Sequence, residues 1–233
     1  MSGLAGHRRA LLPALSIGSV VLLAASMAPG ASWAADSPET VSFSAADGAE
    51  IHAHLYGEGE HAVVLAHGKV FDKESWQPLA SHLSGKGIQV LALDFRGYGD
   101  STPGEEEGAL WLDVVAAAGF LRHRGAQRIS ALGASMGGGA VARASVEVPT
   151  GTFFKVILLA AAPIADPDRM KANSFLFVVS REEPLLPRVR QQFEQAPEPK
   201  RLEILESSAH AQHVFRTDQG GVLTQLIVDA LVN

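Results

Sequence analysis

The sequence Gly133-Ala134-Ser135-Met136-Gly137 decides how this chain folds. It follows an apolar, strand-like run at 128–132 and precedes a helix-forming stretch at 140–146. A G-x-S-x-G pattern between a strand and a helix predicts a sharp turn that holds the serine clear of the sheet. The two glycines fit such a turn because side chains two residues either side of the serine would collide there.

Short apolar runs alternate with helix-forming segments along the rest of the chain. The predicted strands are 41–44, 51–56, 62–66, 90–93, 128–132, 156–160, 175–179 and 202–205. The predicted helices are 74–84, 110–123, 139–146, 187–196 and 221–232. The first two strands flank the turn signal Asp47-Gly48 and predict a β-hairpin. Most of the later runs are continuously apolar, although 202–205 is less purely so. This pattern indicates an α/β domain whose mostly parallel sheet is covered by helices on both faces.

The composition favours one globular domain and argues against a nucleic-acid partner. The chain has 233 residues, enough for one sizeable core. Its 25 acidic residues outnumber its 19 basic residues, whereas a nucleic-acid surface needs a basic stripe. It has no cysteine, so disulfides and thiolate metal sites are excluded. His52 and His54 share one face of a predicted strand, but no third ligand accompanies them, and we expect neither a metal nor a cofactor.

The first 34 residues have the layout of a secretory signal peptide. His7-Arg8-Arg9 is basic, residues 10–27 are uncharged and mostly apolar, and Ser32-Trp33-Ala34 places small residues at a cleavage site. We expect cleavage after Ala34 and an exported chain, periplasmic or secreted, with one domain at 35–233 and no stable membrane anchor. The alternative is an uncleaved anchor, because the apolar run is near the lower length limit for a span. The sequence leaves the export route and the oligomeric state open.

A serine nucleophile needs a base, and the base needs an orienting carboxylate. Where the serine lies on this kind of turn, the chain order is serine, acid, histidine. His210 and His213 are the histidines that follow Ser135. We prefer His210 as the base, because it lies in a small-residue loop after the last predicted strand; His213 is the alternative.

The acid should lie just past the carboxyl end of a neighbouring strand. Glu183 is preferred, because it follows the strand at 175–179. Glu182 is the first alternative. Asp166 and Asp168, after the preceding strand, are the others.

An oxyanion needs two preorganised N–H donors. The backbone N–H of Met136 should be one, since it lies at a helix N-terminus. The other should come from the loop after the strand at 62–66; Lys69 N–H is preferred and Val70 N–H is the alternative.

Four features together resemble the α/β-hydrolase superfamily: His67-Gly68 after a strand, the D-x-R-G-x-G-x-S pattern at 94–101, the serine turn, and His210 near the end. The resemblance covers roughly residues 41–233. It implies an α/β-hydrolase fold with an eight-stranded, mostly parallel sheet, an antiparallel strand near one edge, and a serine that forms an acyl-enzyme. It also implies architectural roles for His67 and Arg96. Glu183 departs from the commoner aspartate.

Many members of that superfamily carry a helical lid after the strand that ends here near Ala161, but only residues 163–173 separate this strand from the next. We therefore expect no lid and an open site, with Phe71, Trp76 and Trp111 as candidate lining residues. The expected activity is hydrolysis of small carboxylic esters or thioesters with short acyl groups. Hydrolysis of a lactone, amide or peptide, or a catalytically silent binding module, are the alternatives.

Overall fold

The computed structural model of the protein describes residues 1–3 and 37–232. From residue 4 onward, the predicted signal peptide and its cleavage site after Ala34 lie outside the described residues. Ala35–Asn233 forms one compact unit. No helix within the described ranges is long and apolar enough to cross a bilayer.

All eight predicted strands are confirmed, with bounds that differ by a few residues. They are β1 (Glu39–Ser44), β2 (Glu50–Tyr56), β3 (His61–Ala66), β4 (Gln89–Leu93), β5 (Arg128–Ala134), β6 (Lys155–Leu159), β7 (Ser174–Ser180) and β8 (Lys200–Leu205). The five predicted helices are confirmed as α1 (Gln77–Ser84), α2 (Leu110–His123), α3 (Met136–Glu147), α4 (Leu186–Gln195) and α5 (Gly220–Val232). Three short 3₁₀ turns lie at Lys73–Trp76, Pro167–Arg169 and Ala211–Arg216.

The strands form one sheet in the order β1-β2-β4-β3-β5-β6-β7-β8. Strand β2 is antiparallel to both of its neighbours, β1 and β4. The other five pairs are parallel. The predicted mostly parallel sheet, with an antiparallel strand near one edge, is therefore confirmed. Because the carboxyl ends of parallel strands share one edge, the loops after β3, β5, β7 and β8 meet there.

The central strands are buried along their whole length. Every residue of β3 and β4 is buried, and only the first residue of β5 is exposed. Such strands need apolar residues at successive positions, since helices cover both faces of the sheet. This is the physical reason for the continuous apolar runs in the sequence.

Arg96 ties three segments together from within the fold. Its guanidinium donates to Asp47 in the β1–β2 turn at 2.5 Å and to Asp113 on α2 at 2.7 Å. A third hydrogen bond reaches the Glu106 carbonyl at 2.8 Å. All three charged side chains are buried. Removal of any one of them would leave a buried charge without full compensation, which would destabilise the fold. The side chain serves the architecture of the fold, as the family resemblance implied.

Two predicted helix starts need correction. The segment predicted as one helix at 74–84 is a 3₁₀ turn followed by α1, because Pro78 has no N–H to donate to the carbonyl four residues earlier. Helix α3 begins at Met136 and not at Gly139. Its first turn is closed by a 3.1 Å hydrogen bond from Gly139 N–H to the Ser135 carbonyl, directly at the serine turn.

The connection between β6 and β7 is short. It runs from residue 160 to residue 173, and its regular structure is the 3₁₀ turn Pro167–Arg169. No helical lid is present in this connection, as the sequence predicted.

Candidate active site

Ser135 lies in a strained backbone conformation at the carboxyl edge of the sheet. Its φ is 52° and its ψ is −113°, a combination that is unfavourable for a residue with a side chain. Hydrogen bonds hold the residue there. Ser135 N–H donates to the Leu159 carbonyl at 2.9 Å, and Ala162 N–H donates to the Ser135 carbonyl at 2.9 Å. The neighbouring strand β6 and the loop after it therefore stabilise the turn.

The two glycines of the motif allow the backbone to come this close. A Cβ on Gly133 would lie 2.6 Å from the carbonyl carbon of Gly137. A Cβ on Gly137 would lie 2.6 Å from the carbonyl carbon of Ala66. In both cases the colliding partner is backbone, which cannot rotate away as a side chain can. The turn therefore requires glycine at both positions.

Ser135, His210 and Glu183 form one hydrogen-bonded row. The Ser135 Oγ lies 2.7 Å from His210 Nε2, and His210 Nδ1 makes a short hydrogen bond to Glu183 Oε1. An ionised carboxylate can only accept, so the imidazole carries its proton on Nδ1. Nε2 is then free to accept the serine proton. The structure thus brings together the three residues that the sequence analysis preferred.

The acid and base loops are joined to each other. Ser180 Oγ donates to the Ala209 carbonyl at 2.6 Å, and Glu182 N–H donates to the Ser207 carbonyl at 3.1 Å. Glu183 is buried, and its second oxygen, Oε2, is buried without a hydrogen-bond partner among the described residues. The hydrogen bond to His210 is therefore the only one that the Glu183 side chain makes among the described residues.

The alternative acids and the alternative base lie elsewhere. Glu182 and Asp168 are exposed. Asp166 forms ion pairs with Arg143 at 3.5 Å and with Arg169 at 3.7 Å. His213 is exposed in the 3₁₀ turn Ala211–Arg216, and its ring lies 4.8 Å from that of Phe71.

The loop after β3 lies against the serine turn, since a Cβ on Gly137 would lie 2.6 Å from the His67 carbonyl oxygen. His67 Nδ1 donates to the Gly68 carbonyl at 2.9 Å, because Nε2 of the same ring accepts from Phe95 N–H at 3.2 Å. Phe71 N–H also donates to the Gly68 carbonyl, at 3.0 Å. In a trans peptide the N–H points opposite to the carbonyl. Lys69 N–H therefore points away from these bonds.

Two backbone N–H groups are the candidate oxyanion donors. Neither Met136 N–H nor Lys69 N–H has a hydrogen-bond partner within residues 37–232. The Val70 N–H belongs to the peptide whose carbonyl, that of Lys69, accepts from Tyr98 Oη at 3.1 Å. Tyr98 Oη also lies 3.7 Å from Met136 Sδ, so this ring stands between the two chain segments.

A buried ion pair anchors the far end of the same loop. Asp94 accepts from Lys73 N–H at 2.8 Å and from Lys73 Nζ at 2.7 Å. Burial by itself would lower the pKa of Lys73, but the hydrogen bonds to Asp94 and Glu74 raise it above its usual value. Lys73 is therefore a charged anchor and not a base. Sequence reasoning missed this residue, because no local pattern marks a lysine that pairs with a strand end.

The candidate lining residues lie on different parts of the fold. Phe71 and Trp76 line a cavity of about 630 Å³ behind the loop, together with Gln212, Phe215 and Arg216. Ser135 and His210 are not among the lining residues of this cavity. Trp111 is half-buried on α2 against the core.

One histidine of β2 lies close to an acidic side chain. His54 lies 4.0 Å from Glu74. In the part of the chain that the structure describes, no group of three or more histidine, cysteine, aspartate or glutamate side chains is placed to hold a metal ion.

The sequence model of the alpha/beta hydrolase family matches residues 63–227. The chain belongs to the alpha/beta hydrolase family. The match covers most of β3, the serine turn and the His210 loop, so all three residues of the row fall within it. The residues that form the hydrogen-bonded row in the structure therefore lie in the segment that the family's sequence model matches.

Curated relatives of this alpha/beta hydrolase match part of its length. Serine hydrolase BPHL from Homo sapiens is 32% identical over 130 residues, which are 54% of this chain and 45% of that protein. A non-heme haloperoxidase from Rhodococcus erythropolis is 30% identical over 119 residues, 51% of this chain and 43% of that protein. The matches thus span less than half the length of these relatives.

Solved structures share the fold. The esterase Pf2001 from Pyrococcus furiosus aligns with a TM-score of 0.69 at 16% identity, covering 83% of this hydrolase and 91% of that chain. The esterase EaEST from Exiguobacterium antarcticum aligns with a TM-score of 0.70 at 15% identity, covering 84% of this hydrolase and 100% of that chain.

Proposed function

We propose that this alpha/beta hydrolase is an exported serine hydrolase that cleaves carboxylic esters or thioesters with short acyl groups, through an acyl-enzyme on Ser135. The observation that carries the proposal is the row of hydrogen bonds from Ser135 Oγ through His210 to Glu183. The names of the relatives, a serine hydrolase and two esterases, support the same class of reaction.

The row provides both proton transfers of ester hydrolysis. His210 Nε2 takes the serine proton as Ser135 Oγ attacks the carbonyl carbon, and Glu183 stabilises the imidazolium. The carbonyl oxygen becomes negative and accepts hydrogen bonds from Met136 N–H and Lys69 N–H. The C–O bond then breaks, and His210 returns the proton to the leaving alcohol. In the second half of the reaction, His210 Nε2 takes a proton from water as the water oxygen attacks the acyl carbon. It then returns that proton to Ser135 Oγ as the C–O bond to the serine breaks and the acid leaves.

The preference for short acyl groups is supported by the connection at 160–173. It carries Asp166, Asp168, Arg169 and Lys171, which cannot form an apolar wall along a hydrocarbon chain. Each further methylene gains about 0.8 kcal/mol only where it is buried. We expect kcat/KM to be highest for p-nitrophenyl acetate or butyrate and to fall for octanoate and palmitate. The highest efficiency on palmitate would contradict the short-acyl proposal without affecting the assignment of the serine.

Labelling with a fluorophosphonate probe tests the class of protein. The probe should modify the wild-type protein at Ser135, and Ser135→Ala should be neither labelled nor active while unfolding at the same temperature. Tryptic mass spectrometry locates the adduct. A folded wild-type protein that takes no label would indicate a binding module, and labelling at another serine would move the nucleophile.

Export and cleavage after Ala34 form a further part of the proposal. They rest on the basic, apolar and small-residue regions of the first 34 residues. The mature protein should begin at Ala35. Intact-mass measurement of the protein from the extracytoplasmic fraction would test this, and a mass that includes residues 1–34 would favour a membrane anchor.

A further inference from the structure

Gln212 bridges three parts of the site. Its Oε1 accepts from Gly68 N–H at 2.7 Å, and its Nε2 donates to Ser75 Oγ at 3.0 Å. The partner atoms fix the orientation of this amide, because a backbone N–H can only donate and must face the oxygen. The side chain is only 4% exposed. We call this arrangement of Gln212, Gly68 and Ser75 the Gln212 bridge.

The bridge joins both ends of the loop after β3 to the segment that carries His210. Gly68 lies at the start of this loop. Ser75 lies beyond its end, where its N–H donates to Asp72 Oδ1 at 2.9 Å. Gln212 follows His210 by two residues, and Ala211 between them has a φ of 46°. This left-handed turn directs the His210 side chain to Ser135 and that of Gln212 to the loop.

The bridge completes the fixation of Gly68. The Gly68 carbonyl accepts from His67 Nδ1 and from Phe71 N–H, and the Gly68 N–H is held by Gln212. With the peptides on both sides of the Gly68 Cα held, the direction of the next N–H, that of Lys69, is determined. Without Gln212, the Gly68 N–H would lose the only hydrogen-bond acceptor that it has among the described residues.

We infer that Gln212 is a positioning residue. It aims the Lys69 N–H at the oxyanion and sets the distance between this N–H and His210. This inference rests on the proposed function, since it assigns a part in the same reaction. A donor that is preorganised toward developing charge acts in the transition state and not on the bound ester. Loss of the bridge should therefore lower kcat and leave KM nearly unchanged.

The test compares two buried glutamines. Gln212→Leu removes the acceptor for Gly68 N–H at similar volume. Gln192→Leu is the matched control, because Gln192 is also 4% exposed and its Oε1 also accepts from a backbone N–H, that of Ile164 at 3.1 Å. We expect both variants to lose thermal stability, and Gln212→Leu in addition to lose kcat by about 10- to 100-fold, less than the loss of an oxyanion donor outright. Equal kcat in the two variants would overturn the inference.

Two further measurements exclude a general structural effect. A short alkyl trifluoromethyl ketone, which forms an oxyanion on the serine, should lose affinity for Gln212→Leu by the same factor as kcat/KM. Ser75→Ala keeps the contact with Gly68 and should lose less than about threefold in kcat. A rise in KM at constant kcat, or unchanged ketone affinity, would contradict the role.

Hydrogen exchange of the Gly68 amide gives a readout that needs no activity. Gly68 N–H should be protected in the wild-type protein and lose protection in Gln212→Leu, but not in Gln192→Leu. Should the fluorophosphonate fail to label the wild-type protein, the proposed function falls, and the exchange data still report whether the bridge holds the loop. If Gln212→Leu does not fold, Gln212→Met removes the oxygen with an unbranched chain of similar length.

Discussion

At the scale of single residues, the site is built from strained positions at the carboxyl edge of the sheet. Ser135, Ala160 and Ala211 have φ values of 52°, 42° and 46°. Each such residue costs on the order of 1–3 kcal/mol, which the surrounding structure must offset. Ser135 follows β5, Ala160 follows β6 and Ala211 follows His210 directly. The residues whose backbone conformation lowers stability thus lie next to the side chains of the candidate site.

The acid gives a prediction at this scale. Glu183→Gln should lower kcat by about 10³- to 10⁴-fold, because a neutral amide neither stabilises the imidazolium nor fixes its tautomer. Glu182→Gln is the matched control and should keep nearly full activity, since that side chain is exposed. Steady-state kinetics on p-nitrophenyl acetate would measure both. The reverse ranking would transfer the role to Glu182.

The sequence was informative about residues whose function follows from local spacing. Ser135 lies in a motif, and Glu183 and His210 each follow a predicted strand. Gln212 could not be predicted in the same way, because its partner Gly68 is 144 positions away. Lys73 likewise depends on Asp94, a contact that exists only once β3 and β4 pair.

At the scale of elements, periodicity identified each strand and helix, and steric details shifted the starts. Pro78 moved the start of α1, and the turn at Ser135 moved the start of α3. Helix α2, in contrast, has the predicted bounds, Leu110–His123. Its sequence contains no proline and one glycine, Gly119, in its second half.

Gly119 provides a test of helix stability. A Cβ built on Gly119 has nothing within 4 Å, and glycine inside a helix costs about 0.5–1 kcal/mol relative to alanine. Gly119→Ala should therefore raise the melting temperature by about 1–4 °C without changing activity. Calorimetry would measure the shift. Gly133→Ala, where the Cβ meets backbone, should lower it, and a fall in both variants would contradict the reasoning.

At the scale of the whole molecule, the order of strands brings residues from distant parts of the chain to one edge. The family resemblance implied a mostly parallel sheet with an antiparallel strand near one edge. Periodicity does not predict the order of the strands, because apolar runs do not specify which strands are neighbours. The opposite edge carries a different buried group. His61, at the start of β3, lies 3.0 Å from Ser130 Oγ and against the ring of Phe154.

His61 predicts how global stability depends on pH. Burial, assisted by the charges of Arg128 and Lys155, lowers its pKa to about 4. The unfolded chain binds a proton below its ordinary pKa of about 6.5, whereas the folded protein does not until about pH 4. Stability should therefore fall as the pH drops from 6.5 through 4, by about 2–3 kcal/mol at pH 4.5 from this group.

Urea unfolding at pH 7 and at pH 4.5 would isolate the effect. His61→Gln keeps a hydrogen-bonding side chain near Ser130 but cannot titrate. Its stability should decline less between the two pH values than that of the wild-type protein. Parallel declines would show that other groups account for the acid sensitivity.

The closeness of the backbone around Ser135 also constrains the gene. Glycine is the only residue without a Cβ. Every missense change in the codons for Gly133 and Gly137 therefore adds a Cβ that would collide with a backbone carbonyl group. We therefore expect no neutral amino-acid replacement at either codon, and at least one at the codon for Gly119. Under random mutagenesis, surviving clones should accumulate changes at the open glycine and retain glycine at the other two positions. The positions that retain glycine would then identify where the backbone approaches too closely for a Cβ.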